Sequence, residues 1–411
     1  MSVCSDDAYS GVCSVLSRLC PRLIPSSLFG FSLANLARLD PEVVCGIVYG
    51  GVNEVCVLAI NELSRWWFSL SRDRCSVCGS RASEIDEDWR YCVKGDAGIA
   101  VLEGLVQLCD ECHLAKHLGY AWIHGRFEEA IKRVTEVNNV SEELTRQAVD
   151  EAFEVHESLS SKIRKWRVVL RGLSGLSEGV VKVVEHVLNF MVNNNYELSN
   201  YWLWYREQNK SEIEERAENE ALELLRSALG LEGKNSMSIV IKLSGEDLGK
   251  LVNELANALN NYGIRVLKRE TETALRLVRG SEHVRNDGRV EIKLGSMGGK
   301  WMVFVPSGLR GVVMRNVIDG LRERGLDYIA KTPGVREGGE RPVIIYVPNF
   351  LAVGMVNDVA EVMLEVLNRL GINKPLLFKP DVFTQEGIYS GKAGGMKPYI
   401  YMTSLRLKGF H

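Results

Sequence analysis

Cys75-Ser76-Val77-Cys78-Gly79 and Cys109-Asp110-Glu111-Cys112-His113 are the two stretches on which the reading of this chain turns. Each holds a C-x2-C pair, and together they supply four thiolates, the tetrahedral donor set of a closed zinc site. Gly79 permits the tight turn that lets both sulfurs of the first pair face one ion. We therefore expect one structural Zn2+ on Cys75, Cys78, Cys109 and Cys112. The bland alternative is four unrelated thiols in a Cys-rich segment. All ten cysteines lie in the first 112 residues. The six outside the pairs share no spacing and sit mostly among apolar neighbours. No basic n-region precedes an apolar stretch near the start, so we expect a reducing cytoplasm and buried thiols. A hyperthermophile's cytosol would instead leave some of them disulfide-bonded.

Around the cysteines lies a second layer of ligand-type residues. His113 and His117 stand at i and i+4, one helical turn apart on one face. Upstream, Asp86-Glu87-Asp88-Trp89-Arg90-Tyr91 gathers carboxylates before a hairpin-like stretch running to Leu108. With Lys116-His117-Leu118-Gly119, Ala152-Phe153 and Trp166, segment 75–170 resembles the zinc-stapled HNH endonucleases, in which a β-hairpin and a helix present a hydrolytic metal. The resemblance implies a ββα-metal, treble-clef-like module. In it Glu87 with His113 or His117 would hold a catalytic Mg2+ or Mn2+. Where that group has a hairpin His as general base, this chain has Asp86, a poor base near neutral pH. Two readings stay open: an endonuclease using Asp86, Glu87, His113 and His117, or a module that keeps its zinc and binds without cutting.

The rest of the chain is organised by texture and charge. Residues 1–74 read as helical, and the apolar run Val43–Ile60 as a buried helix, since Asn53-Glu54 breaks it as a membrane span. Helical patterns follow at Arg126–Val137 and Ser141–Leu170, then across a 171–235 arm at Leu176–Val192 and Tyr196–Leu229. Within that arm Tyr201-Trp202-Leu203-Trp204-Tyr205 reads as interdomain core, with a base-stacking platform as the alternative. Net charge is −3 overall, but the segments 1–70, 71–170, 171–235 and 236–411 carry −2, −4, −4 and +7. A basic C-terminal domain suits a polyanion partner, and an even scatter of that charge would suit a protein-interaction scaffold instead. Composition is ordinary for a globular chain, which excludes wholesale disorder and collagen-like repeats.

From residue 236 onward, strand-like runs at Ser238–Leu243, Arg265–Lys268, Ala274–Val278, Val290–Leu294, Trp301–Val305, Val343–Val347 and Pro375–Phe378 alternate with helical patterns at Gly245–Asn260, Arg310–Arg324 and Val353–Leu370. That alternation predicts an α+β domain. Gly299-Lys300-Trp301-Met302, then Lys379-Pro380-Asp381-Val382 through Gly387-Ile388-Tyr389-Ser390-Gly391, then Pro398-Tyr399-Ile400-Tyr401 are similar to the pattern of the Bles03-like family. The resemblance implies the fold of the cap-binding translation initiation factor, a curved antiparallel sheet backed by helices. With Trp301 the only Trp of this domain, no aromatic sandwich for a cap is expected. Lys379, Tyr389, Lys392, Lys397, Tyr399 and Tyr401, set among glycines, are candidates for phosphate and base contacts with RNA or DNA. No Walker-type phosphate loop is present, and no membrane partner is expected.

Overall fold

The computed structural model describes residues 7–199, 202–207, 210–230, 240–278, 290–335, 338–390 and 395–403. The chain forms two compact units, Met1–Val48 with Asn53–Asn200, and Tyr49–Val52 with Tyr201–His411.

The first unit is built around a long hairpin. Strands β1 (Glu84–Lys94) and β2 (Ala97–Leu108) pair antiparallel from Glu84↔Leu108 to Lys94↔Ala97. Gly95 opens the two-residue turn with φ +67°, a conformation glycine adopts without steric cost. Strand β3 (Lys165–Leu170) then adds parallel to β2, so this sheet is mixed. The helix expected through Leu170 stops at Lys162. Beyond it, Trp166, Val168 and Val169 favour a pleated, buried surface over a helix. Trp166 lies against Gly98 of β2, where an added Cβ would meet the indole at 2.5 Å. Edge-to-face contacts run from Tyr9 to Tyr91 (6.2 Å) and from Tyr91 to Trp166 (5.9 Å). The helices Phe127–Asn138 and Glu142–Lys162 add Ile131, Val134, Val149 and Ala152 to the same core.

The apolar 43–60 run folds as two helices, Pro41–Tyr49 and Glu54–Ser69. Asn53 caps the second, its side-chain oxygen accepting from Cys56 N–H at 2.9 Å. The expectation of buried thiols fails here: Cys45–Cys56 and Cys13–Cys20 are disulfide-bonded. The helix Glu178–Asn193 and the short strand β4 (Tyr196–Leu198) complete the unit.

The second unit holds β5 (Trp202–Arg206), β6 (Val240–Leu243), β7 (Ile264–Val266), β8 (Val290–Lys293), β9 (Gly299–Pro306), β10 (Ile329–Pro333), β11 (Glu340–Val347), β12 (Leu376–Pro380) and β13 (Tyr401–Thr403). Strands β6 and β8 form a separate ladder, and the main sheet of this unit runs β5-β10-β11-β9-β12-β13-β7. The helices Ser307–Glu323 and Val353–Arg369 pack on this sheet and seal one of its faces. On β9 that face is Trp301, Val303 and Val305, all wholly buried, with Trp301 Nε1 donating to Val356 O at 2.9 Å. Helix Gly245–Asn260 has the expected bounds, fixed by a capping box between Ser244 and Asp247.

Three expectations are corrected. The main sheet is neither closed nor strongly curled, against the curved sheet expected for this domain. Curvature comes from bulges and glycine kinks, and the central β9–β11 ladder runs from Glu340↔Pro306 to Val347↔Gly299 without a register shift. The aromatic run 202–206 is a strand rather than a helix, and 274–278 is not a strand, since Lys268–Leu277 is helical. Among the described residues no helix is long and apolar enough to cross a membrane.

Candidate metal centre

The sulfurs of Cys75, Cys78, Cys109 and Cys112 converge, all within 4.8 Å of one another. Local backbone geometry explains why. Gly79 sits at φ +76° and donates its N–H to Cys75 O, while Cys75 N–H donates to Ser80 O, closing the first pair into a tight turn. Ser76 N–H donates to Gln107 O, which ties that turn to the end of β2. The second pair opens the helix Asp110–Lys116, so the two pairs meet where the hairpin ends and the helix begins. Cys78 Sγ and Cys109 Sγ are 3.6 Å apart. Tetrahedral zinc with sulfurs at about 2.3 Å requires sulfurs about 3.8 Å apart, so the set fits that ion.

The electrostatics divide the cluster: burial pushes the Cys112 thiol up, with Arg133 only partly opposing, whereas Cys78 and Cys109 are drawn toward their thiolates. Burial pushes the Cys78 thiol up, but hydrogen bonds from the Ser80 hydroxyl and backbone, and then from Cys75 and Cys109, bring it down to about 6. Cys109 is lowered too, again against its own burial, with Ser80 and Cys112 as the hydrogen-bonding causes. Arg133, on the helix Phe127–Asn138, lies against Cys112 and also pairs with Glu111 at 3.3 Å. Its guanidinium offsets the surplus negative charge that four thiolates leave around a divalent ion. Sequence reasoning passed over Arg133. Its only signal was a place on an amphipathic helix beyond the second pair.

A second ligand cluster lies on the same hairpin and helix. Asp86, His113 and His117 bring a carboxylate oxygen and two ring nitrogens within 4.8 Å of one another. Asp86 Oδ2 is 3.1 Å from His117 Nε2, close to the roughly 3 Å that two neighbouring oxygen or nitrogen donors show on an octahedral cation. Lys116 Nζ also reaches that oxygen at 2.9 Å and donates to Glu87 O at 2.6 Å. Burial pushes the Asp86 carboxyl up, but His117 and Lys116 together hold it well below the usual carboxylate range. His113 is drawn below the ordinary imidazole value, first by burial and then by His117, which favours its neutral, ligating form.

Glu87 lies outside this cluster. Neighbouring strand residues point to opposite faces, so Asp86 and Glu87 cannot turn to the same ion. Glu87 is buried, accepting from Ala34 N–H at 3.1 Å and from Trp89 Nε1 at 2.8 Å. Burial pushes its carboxyl up to about 7. Its place is under the helix Leu33–Arg38, as an anchor.

Of the candidates in the second unit, Lys379 and Lys397 each meet a tyrosine. Lys379 Nζ stands 3.8 Å from the Tyr389 ring centre and donates to Ile388 O at 2.7 Å; Lys397 Nζ is 5.7 Å from the Tyr399 ring. Tyr401 is wholly buried, its hydroxyl donating to Phe350 O. Lys392 lies outside the described residues. No family model matches the chain.

Proposed function

We propose that this is a zinc-stapled, HNH-type module that acts on nucleic acid. In this reading Cys75, Cys78, Cys109 and Cys112 hold a structural Zn2+, and Asp86, His113 and His117 take a divalent cation. The observation that carries it is the convergence of two ligand sets, four sulfurs and an Asp-His-His group, on one hairpin and its following helix. The resemblance of segment 75–170 to the HNH endonucleases supports the same reading, and that of the C-terminal residues to the Bles03-like family leaves the second unit's role to its own surface. When bound, Mg2+ or Mn2+ at the second set would polarise a phosphodiester and lower the pKa of a water. The chain's own residues would orient the cation through one carboxylate and two imidazoles, with Lys116 offering positive charge to a phosphate. Lys397 with Tyr399 would contribute phosphate and base contacts, while Lys379, buried and donating to Ile388 O, would hold Tyr389 in place.

A second reading, binding without cleavage, is favoured by one specific contact. Lys116 already occupies Asp86 Oδ2, and Asp86 stands where the HNH pattern has its basic His. A cleavage assay separates the two. Single- and double-stranded RNA and DNA are incubated with Mn2+ or Mg2+, beside a His113→Ala variant that retains its zinc. Cutting that needs the divalent ion and is lost in His113→Ala supports the endonuclease. Intact substrates under every condition leave the binding module.

A further inference from the structure

Among the described residues, the main sheet of the second unit has one sealed face and one that is partly open, buried at Lys300 and Ile344 but exposed at Phe304 and Arg206. Alternation along β9 shows it: Trp301, Val303 and Val305 are buried, while Met302 is half-buried and Phe304 is 40% exposed. The pairing registers fix which residues share this second face. Lys331 of β10 stands opposite Trp204 of β5 and opposite Ile344 of β11, and Tyr346 of β11 stands opposite Lys300 of β9. Trp202 and Arg206 flank Trp204 on the same side of β5, two positions away in each direction. The face therefore carries three large rings and three cations across four strands, and Trp202, Trp204, Lys331 and Tyr346 are all half-buried while Arg206 is exposed.

The contacts among them are of one kind. Lys331 Nζ lies 4.6, 4.3 and 5.4 Å from the ring centres of Trp202, Trp204 and Tyr346. Arg206 is 4.3 Å from the Trp204 ring and Lys300 Nζ 5.3 Å from that of Tyr346. Trp204 and Tyr346 are near-parallel, 23° apart with centres 6.4 Å from each other. Cation–π contacts steady an ammonium without cancelling its charge. Lys300 reaches Asp381 at 2.6 Å, yet Lys331 has no carboxylate within ion-pair distance among the described residues. Burial, and then the Lys300 ammonium, draws Lys331 down to about 8.

We propose that this sheet face binds single-stranded nucleic acid, with bases stacking against Trp202, Trp204 and Tyr346 and phosphates meeting Lys331 and Arg206. Flat rings attached to a row of positive charge suit a ligand that joins planar bases to phosphates. A duplex hides its base faces, so the ligand must be unpaired. The Lys331 ammonium lies within cation–π distance of all three rings, and its charge disfavours a cationic base. The proposal is independent of the metal centre, since none of these residues belongs to the first unit.

The test uses the full chain without added divalent ions, so cleavage at the metal centre does not enter the readout. Fluorescein-labelled oligo-U and oligo-dT are titrated by anisotropy, beside a DNA duplex and poly-glutamate. Either single strand should bind more tightly than duplex or poly-glutamate, and the better of the two identifies the sugar preferred. Trp204→Ala should weaken that binding about tenfold or more, with Trp204→Phe retaining most of it. Lys331→Gln should lower the slope of log affinity against log salt by about 0.7. Equal binding of poly-glutamate would reassign the face to acidic polypeptides and overturn the proposal. So would Trp204→Ala binding like the wild type, or Trp204→Ala and Trp204→Phe losing binding alike.

Discussion

Asp86 Oδ2 lies 3.1 Å from His117 Nε2 and 2.9 Å from Lys116 Nζ, so one carboxylate oxygen ties the hairpin to the helix that follows the second cysteine pair. Its neighbour Glu87, one residue on, serves the opposite face of the same strand. Contact with His117 and Lys116, and contact with Ala34 and Trp89, are divided between adjacent acids by the pleat.

That division is testable at Glu87. Glu87→Ala leaves the Ala34 N–H and the Trp89 Nε1–H without their acceptor in a buried site. Unmet buried donors cost about 1–3 kcal/mol each, so the variant should unfold at lower urea. Its Mn2+ affinity, by calorimetry, should stay near wild type, while Asp86→Ala should lose Mn2+ binding. A Glu87→Ala protein of full stability that no longer binds Mn2+ would reverse the two roles.

The disulfides close short loops, with sequence separations of 7 and 11 for Cys13–Cys20 and Cys45–Cys56. Loop-closure entropy for such lengths is worth roughly 2–3 kcal/mol. The Cys45→Ala/Cys56→Ala double variant should lower the urea midpoint accordingly, with zinc content unchanged. A midpoint equal to wild type would show that the bond contributes nothing.

Much of this was legible in the sequence, and the misses have identifiable causes. The C-x2-C pairs announce themselves because ligand spacing is local. Helix 245–260 does too, through its capping box and apolar period. Strand β5 does not. It sits between an asparagine-rich stretch and an acidic helix, and its pairing partner β10 lies more than 120 residues downstream, so only tertiary contact makes it a strand. A basic domain that begins at residue 236 leaves out Trp202 and Trp204 and holds Trp301 alone, whereas the sheet draws strand β5 from Trp202–Arg206. Glu87 was a different case: strand alternation already implied that it and Asp86 could not share an ion. The disulfide partners follow no motif spacing, and sheet curvature depends on bulges that no local pattern reveals.

The sheet face makes a prediction about pH. Lys331 is drawn to about 8 by burial and by Lys300, with Asp381 opposing and Arg206 adding to the depression. The folded value lies below the ordinary lysine value near 10.4, so between the two the unfolded chain binds more protons. Stability should therefore rise with pH across about 8 to 10. Lys331→Met should remove that part of the rise, read as a smaller change in urea midpoint between pH 7.5 and 10. Identical pH dependence in variant and wild type would place the Lys331 ammonium in open solvent.

Zinc held by the four sulfurs underlies every other assignment at this hairpin. Metal analysis of protein purified without added metal should find one zinc per chain, falling to none in Cys109→Ser, because removing one thiolate opens the set. Zinc-free native protein, or a Cys109→Ser variant that keeps its zinc, would contradict it.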